Sequence, residues 1–572
     1  MAALLNLAGL LCLGALLALL YDRALADVLP AAAALLILAL FALALFRGLW
    51  LIDLLALLCC ILCAVLFYRR CGRGALRRFG DIVLAPSALA LYAALCVGWL
   101  LFRRMLITST DDLNCWALEL KSIWYYGGFA PKFHHAALSY GRYHPGCTLF
   151  RWWVCHLAGA YREGLLFVGS GWLYLLLLAP LFRLLDCRRL FAPFLGAAAG
   201  GLLLLLPGVT DVMAYISVSA ELVMAAAFAG AFLTLLEPAD RLGRLRLLSY
   251  AAMLCFFKAS GVFFAFCVLL FALLVPRKRE GGLLLDALTR RELFCGAALA
   301  LLPLAVWYGY CALTSRQDYF ALQAEAARSG GVLPYLTSLL RALVFVPAHS
   351  TRDGGLDLPY LVLIPALSLL WLLAERLGLL PRHGRALGRF GAGLLVFFMI
   401  GLWLVHAFIF REEQYLDPEN MILSCSRYGL PLFLGAELLL LRFFAGCRPK
   451  GRLLVGAAAA GYILACTCLW TLYYRCVDTD ALAAQTALIR ESVGEKHAEL
   501  LAELRRNPGE RVLLVYGEDA PIEGSEGAWL RYLAAPCSIV YFEYAPGREV
   551  ALRELIEQSR PDRVDTSRLP SP

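Results

Sequence analysis

The chain reads as long apolar blocks separated by short polar stretches. A helix crosses a hydrocarbon core of about 30 Å with about 20 apolar residues. Blocks of that kind occupy 2–21, 28–46, 49–67, 81–102, 164–185, 190–209, 217–236, 293–313, 359–374, 390–410, 428–444 and 453–474. A further block, 247–275, is too long for one ordinary span and carries Lys258 in its middle. The first block has no preceding basic residue and no clear cleavage site, so it reads as a retained helix rather than a signal peptide.

The arginines sort these blocks. The loops 69–78, 183–189, 241–246, 277–291, 376–389 and 442–452 are short and basic, which places them on the cytoplasmic side. Block 247–275 has a basic loop on each side and so crosses an even number of times. Two short helices meeting at Lys258-Ala259-Ser260-Gly261 satisfy this and put Lys258 at the outer face. The expected total is about fourteen spans, with the N-terminus outside. The longest outward segments are then 103–163, 314–358 and everything after 475. From residue 478 the material changes. Residues 481–505 have a helical period, 512–516 and 538–542 read as strands, and 529–534 and 549–558 as helices. The expected tail is a small α/β unit whose last residues, 560–572, are frayed. It carries no G-x-G-x-x-G and no P-loop, and is expected to be dispensable for any chemical step.

Composition agrees with a polytopic membrane protein. Hydrophobic residues make up 61% and charged residues 17% of 572, against about 25% charged in soluble domains. The net charge of +9 is that of the loop arginines and does not point to nucleic acid. Many of the 20 cysteines, Cys12, Cys59, Cys60, Cys63, Cys96 and Cys267 among them, lie inside apolar blocks, where they act as small hydrophobes.

The unusual chemistry lies in the outward segments. The first opens Thr108-Ser109-Thr110-Asp111-Asp112 and continues through Trp116, Glu119 and Lys121 in an amphipathic helix to about Tyr126. Ser109 and Asp112 fit a capping box, the bland explanation for a lone acidic pair. Asp112, Trp116, Glu119 and Ile123 share one helix face, however, and Tyr143-His144-Pro145-Gly146 follows as a polar aromatic turn before a helix at 148–158. His134-His135 could ligate zinc, but adjacent histidines point to different faces. Asp211 stands in a short outer loop, either in a cavity or at the membrane boundary. The run Arg411-Glu412-Glu413 reads as solvated loop charge, and Arg352-Asp353-Gly354-Gly355 as a turn.

These features resemble the GT-C superfamily of integral-membrane glycosyltransferases, which includes the protein O-mannosyltransferases and the lipid A aminoarabinose transferases. The resemblance rests on Asp111-Asp112, Trp116, Lys121 and Tyr143-His144-Pro145-Gly146. It also rests on Phe257-Lys258-Ala259-Ser260-Gly261 and on Arg427-Tyr428-Gly429-Leu430-Pro431 opening a late span. It covers 81–474, leaving 1–80 as additional leading helices and 478–572 as a separate extracytoplasmic domain. It implies an all-α polytopic fold and transfer of a hexosyl or pentosyl group, with inversion, from a polyprenyl-phosphate donor at the outer face of a bacterial plasma membrane. Asp111 would be the base. Asp112 would orient the acceptor or share a Mg²⁺ or Mn²⁺ ion with Asp111. Lys258, Arg427 and Lys121 would hold phosphate, and Trp116, Tyr143, His144, Asp211 and Tyr428 would line the acceptor cavity. The acceptor would be protein, lipid or cell-wall glycan. A lipid-linked glycan ligase or polymerase shares the donor. A multi-span transporter is the third alternative, although no internal repeat is evident and the charges gather at one face.

Overall fold

The computed structural model describes residues 2–138, 141–185, 189–207, 217–275, 282–316, 332–346, 359–378, 384–408, 413–445, 479–517, 522 and 524–568. It is a helical membrane-type bundle with a small parallel sheet near its C-terminal end. Among the described residues, five helical stretches are long and apolar enough to cross a bilayer: Ala3–Tyr21, Leu25–Leu45, Leu49–Val83, Arg290–Leu313 and Ala386–Ala407. A sixth, Glu163–Leu177 with Ala179–Leu185, is bent by 62°. By this measure the expected fourteen are not reached. Pro86–Phe102, Glu221–Leu235 and Ala259–Leu274 are apolar but shorter.

The block carrying Lys258 is two helices, Arg241–Phe257 and Ala259–Leu274, broken at Lys258, whose own backbone is extended. The chain turns back so tightly there that a Cβ on Gly261 would stand 1.9 Å from the Leu254 carbonyl oxygen. The break is the one that the basic loops on either side required.

Ion pairs mark the two ends of the bundle. At one end Arg23 pairs with Asp240 (2.6 Å), Arg183 with Asp27 (2.7 Å), Arg78 with Asp22 (2.8 Å), and Arg246 with Glu237. The backbone of Leu284 joins them by donating to the Glu237 carbonyl. Residues 21–27, 69–78, 183–185 and 237–246 therefore share this end, as the arginine pattern predicts. At the other end the turn at 46–49 hydrogen-bonds to Gly127, and the break at Lys258 lies beside Glu221. Helices Glu221–Leu235 and Arg241–Phe257 pack together between the two ends. At 1.5 Å per residue they separate the charged layers by about 20–25 Å, somewhat less than the about 30 Å of a hydrocarbon core.

Close packing comes from small residues. Helix Ala192–Leu205 runs parallel to Pro86–Phe102, with Gly196 over Ala90 and Gly200 over Ala94. A Cβ on Gly196 would meet the Ala90 oxygen at 2.1 Å, and one on Gly200 would meet the Ala94 Cβ at 2.2 Å. This is a small-xxx-small contact of the kind that joins membrane helices without polar groups. Gly196→Leu is expected to force the pair apart and sharply lower the yield and melting temperature of detergent-solubilised protein. Gly201→Leu, whose Cβ would meet nothing within 4 Å, should behave as wild type in the same assay.

The tail begins with helices Thr479–Lys496 and Ala498–Arg506. Strands β1 (Arg511–Tyr516), β2 (Ser538–Glu543) and β3 (Arg563–Arg568) form a parallel sheet in the order β2-β1-β3. Helices Gly524–Ala534 and Glu549–Ser559 make the crossovers. Within the end expected to fray, Arg563–Arg568 are instead strand β3, pairing Val512 with Arg563 and Leu514 with Asp565. Its polar sequence hid it. Asp562 holds the start of this strand by taking hydrogen bonds from the Arg511 guanidinium and backbone.

Candidate functional site

The segment entering the acidic pair is irregular, and the pair itself is not a helix cap. Asp112–Trp116 forms one π-helical turn, followed by an α-helix over Ala117–Tyr126. No side-chain cap bond is made at Asp111, and the backbone of Leu113 bonds to the Ser109 carbonyl. The bland alternative, a Ser109–Asp112 capping box, is not what the Asp112 carboxylate makes, since its oxygens are held by Ser217 and Val218. π-Turns of this kind often mark functional segments.

The two carboxylates are placed differently. Asp112 is fully buried. One oxygen accepts from the Ser217 hydroxyl (2.9 Å) and the other from the Val218 backbone N–H (3.0 Å). Burial pushes its carboxyl up to about 7, against the hydrogen bonds from Val218 and Ser217 and the nearby Arg427 and Arg151 cations. Asp111 is half exposed and pairs with the Arg427 guanidinium at 2.6 Å. The face containing Asp112, Trp116 and Ile123 is buried in protein rather than lying on a membrane surface.

Arg427 leads to a buried centre. Its Nε lies 3.3 Å from Glu221, and Lys258 Nζ donates to the same Glu221 oxygen at 2.5 Å. Both cations lie over the Tyr428 ring, at 4.8 Å for Lys258 and 5.8 Å for Arg427. Asp111, Arg427, Glu221 and Lys258 thus form a chain of alternating charge from the surface inward. Lys258 was expected to be accessible from outside. It is at the expected end of the molecule but only 4% exposed, because Glu221 draws it inward. Arg427 and Tyr428 were expected to open a span. They lie in the interior of helix Pro418–Ala445, which begins earlier because 418–426 continue the helix.

The aromatic turn joins the same centre. Trp116 and Tyr143 meet edge-to-face at 5.4 Å. With Asn114, Cys115, Glu119, His144 and Thr148 they line a small pocket. His144 is pinned there by the Cys255 carbonyl (2.9 Å) and the Tyr308 hydroxyl (3.1 Å), and burial pushes its imidazole down to about 4.

One expected site residue, Lys121, lies elsewhere, as do the two histidines. Lys121 donates to the Tyr532 carbonyl at 2.5 Å and covers the Tyr532 ring, so it serves the joint with the tail and not a phosphate. His134 and His135 also meet the tail. His134 Nε2 faces the Pro536 carbonyl (3.0 Å), and His135 takes the Ile539 N–H at 3.2 Å. Asp211 lies outside the described residues, as do Arg411-Glu412 and Arg352–355. The metal expectation fits poorly. Both Asp112 oxygens already hold protein donors, Asp111 faces a guanidinium, and no cluster of three His, Cys, Asp or Glu side chains suited to a metal occurs among the described residues.

Glu221 and Arg151 join the site without being among the expected residues. Glu221 is an isolated acid at the start of an apolar helix, and such a residue signals function by itself. Arg151 is buried, donates to Ser170 and to the Ser219 carbonyl, and lies over the Trp116 ring at 5.7 Å. It fixes the segment 217–219 that holds Asp112.

The histidine joint predicts a local pH effect. Burial pushes His134 down to about 4 and His135 well below its usual range. A released imidazole titrates near 6.5, so a proton favours the undocked form once the pH falls below that. Docking should be full above pH 6.5 and weaken progressively toward pH 4. Amide exchange at 134–138 and 537–540, followed with pH, would show it. A flat profile, or one unchanged in His134→Asn/His135→Asn, would contradict it.

No family model matches the chain, and no curated protein matches it significantly.

Proposed function

We propose that the chain is an integral-membrane glycosyltransferase that takes a sugar from a polyprenyl-phosphate donor at the extracytoplasmic face of the plasma membrane. One observation carries the reading. A half-exposed carboxylate, Asp111, is paired with a guanidinium, Arg427, at the end of a bundle of apolar helices. A lipid-linked donor has its phosphate at that level and its chain in the bilayer.

The reaction is a single displacement. The acceptor hydroxyl attacks the anomeric carbon, the bond from that carbon to the phosphate oxygen breaks, and polyprenyl phosphate leaves. Asp111 takes the hydroxyl proton as general base. Arg427 receives the phosphate through its paired N–H groups. The donor phosphate competes with Asp111 for Arg427, so binding of the donor releases the base. Glu221 and Lys258 hold Arg427 in place. Asp112 holds the turn rather than reacting, and Trp116 and Tyr143 offer aromatic faces to the acceptor. The proposal keeps the expected count of about fourteen crossings, one of them at 453–474, outside the described residues.

Lipid extracts of cells lacking the gene test this reading. They should accumulate one polyprenyl-phosphate sugar that disappears on complementation with wild type but not with Asp111→Asn. An unchanged polyprenyl-phosphate pool would speak against it.

A further inference from the structure

The tail was expected to be dispensable, yet its contacts fall on the segment that carries the acidic pair. Helix Gly524–Ala534 packs directly against the π-turn Asp112–Trp116. Tyr532 on that helix donates to Glu163 at 2.9 Å and meets the Tyr161 hydroxyl at 2.9 Å. Its carbonyl takes the Lys121 ammonium. Arg490, on helix Thr479–Lys496, pairs with the same Glu163 oxygen and lies over Trp529 at 5.2 Å. The other Glu163 oxygen accepts the backbone N–H of Ile107 at 3.0 Å. Ile107 is fully buried and precedes Asp111 by four residues. Glu163 is therefore a clamp with one oxygen on the tail and the other on the irregular lead into Asp111.

The joint is built like an interior. Glu163 is 9% exposed, and His134 and His135 are 1% and 2% exposed. A second contact, Tyr126 to the Pro536 carbonyl at 3.2 Å, anchors the far end of the same helical segment. The segment 107–126 is thus held by the tail directly at and after the carboxylates, and through Glu163 before them. A loop that leaves a membrane helix and enters an irregular π-turn has little of its own to hold it. Groups that act on a reacting atom need placement to within about half an ångström, and that placement comes from the groups around them.

We infer that the C-terminal domain is part of the site. Through Tyr532, Arg490 and Glu163 it positions the Asp111–Asp112 turn, so Tyr532 and Arg490 are positioning residues for the carboxylates although neither lies near the reacting atoms. The effect on turnover rests on the sugar-transfer reading above, whereas the positioning itself does not.

Two readouts on the full-length protein test this. The first is amide hydrogen exchange, comparing wild type with Tyr532→Phe/Arg490→Leu. Tyr532→Phe keeps the ring over Lys121 and removes only the hydroxyl, which limits damage to the fold. Protection at 105–116 should fall by tenfold or more, while helices Glu221–Leu235 and Ala259–Leu274 exchange as in wild type. The second is transfer kinetics with a polyprenyl-phosphate sugar. The double variant should lose tenfold or more in kcat with donor KM nearly unchanged, and Arg490→Lys should recover more of that rate than Arg490→Leu. Unaltered protection at 105–116 would overturn the inference. Lost protection with unaltered kcat would overturn it equally. If wild type itself transfers no sugar, the transfer reading fails, and the exchange result alone decides the positioning.

Discussion

Asp111→Asn is expected to lower sugar transfer by about 10²–10⁴-fold, the usual cost of removing a general base. The substitution preserves size and removes the proton acceptor. Folding should be little affected, because Asp111 is half exposed and its one strong partner is Arg427. Donor affinity should stay the same or rise, since Arg427 loses the carboxylate that competes with the donor phosphate. Asp112→Asn should behave differently. Both Asp112 oxygens accept hydrogen bonds in a buried setting. An amide there can keep the Val218 bond through its oxygen, but its NH2 forces the Ser217 hydroxyl to turn and accept instead of donating, which costs about 0.5–1.5 kcal/mol of stability. Kinetics and thermal unfolding of the two variants side by side would separate base from support. Equal turnover in Asp111→Asn and wild type would remove Asp111 from the chemistry.

Glu221→Ala carries the largest expected loss of stability. Lys258 and Glu221 are 4% and 1% exposed, and the alanine leaves a buried ammonium without its carboxylate. Removing one partner of a buried pair typically costs about 3–5 kcal/mol. Arg427 would keep Asp111 as its counter-ion, so the damage should centre on the break between helices Arg241–Phe257 and Ala259–Leu274. Removing both charges tests the cause. Glu221→Leu/Lys258→Met should recover much of the lost melting temperature, because neither charge is then stranded. A double variant as unstable as Glu221→Ala would show that the loss comes from packing and not from charge.

The bundle was legible where one physical rule dominates. Arginine-rich loops and apolar blocks gave the ends of the helices, and the ion pairs Arg23–Asp240, Arg183–Asp27 and Arg78–Asp22 gather the loops expected together. The break at Lys258 followed from counting crossings. Helix lengths were less legible, since Pro418–Ala445 extends well before the expected start at Tyr428. The acidic pair could be picked out because paired carboxylates beside a membrane are unusual. Its partners could not. Ser217, Val218 and Glu221 reach Asp112 and Arg427 from over a hundred positions away in the chain, and no local pattern reports such contacts. Lys121 was misassigned, and the role of the two histidines went unread, for the same reason. Their partners, Tyr532, Pro536 and Ile539, belong to a domain that the sequence presents as separate. Strand β3 was missed because Arg563, Asp565 and Arg568 break the apolar alternation that marks a strand.

Transfer by the purified protein in nanodiscs, supplied in turn with a panel of polyprenyl-phosphate sugars, tests the central claim most directly. Turnover is expected with at least one donor, with a loss of about 10²–10⁴-fold in Asp111→Asn and weakened donor binding in Arg427→Ala. Turnover that is unchanged in both variants, or absent for every donor from stably folded wild type, would contradict it.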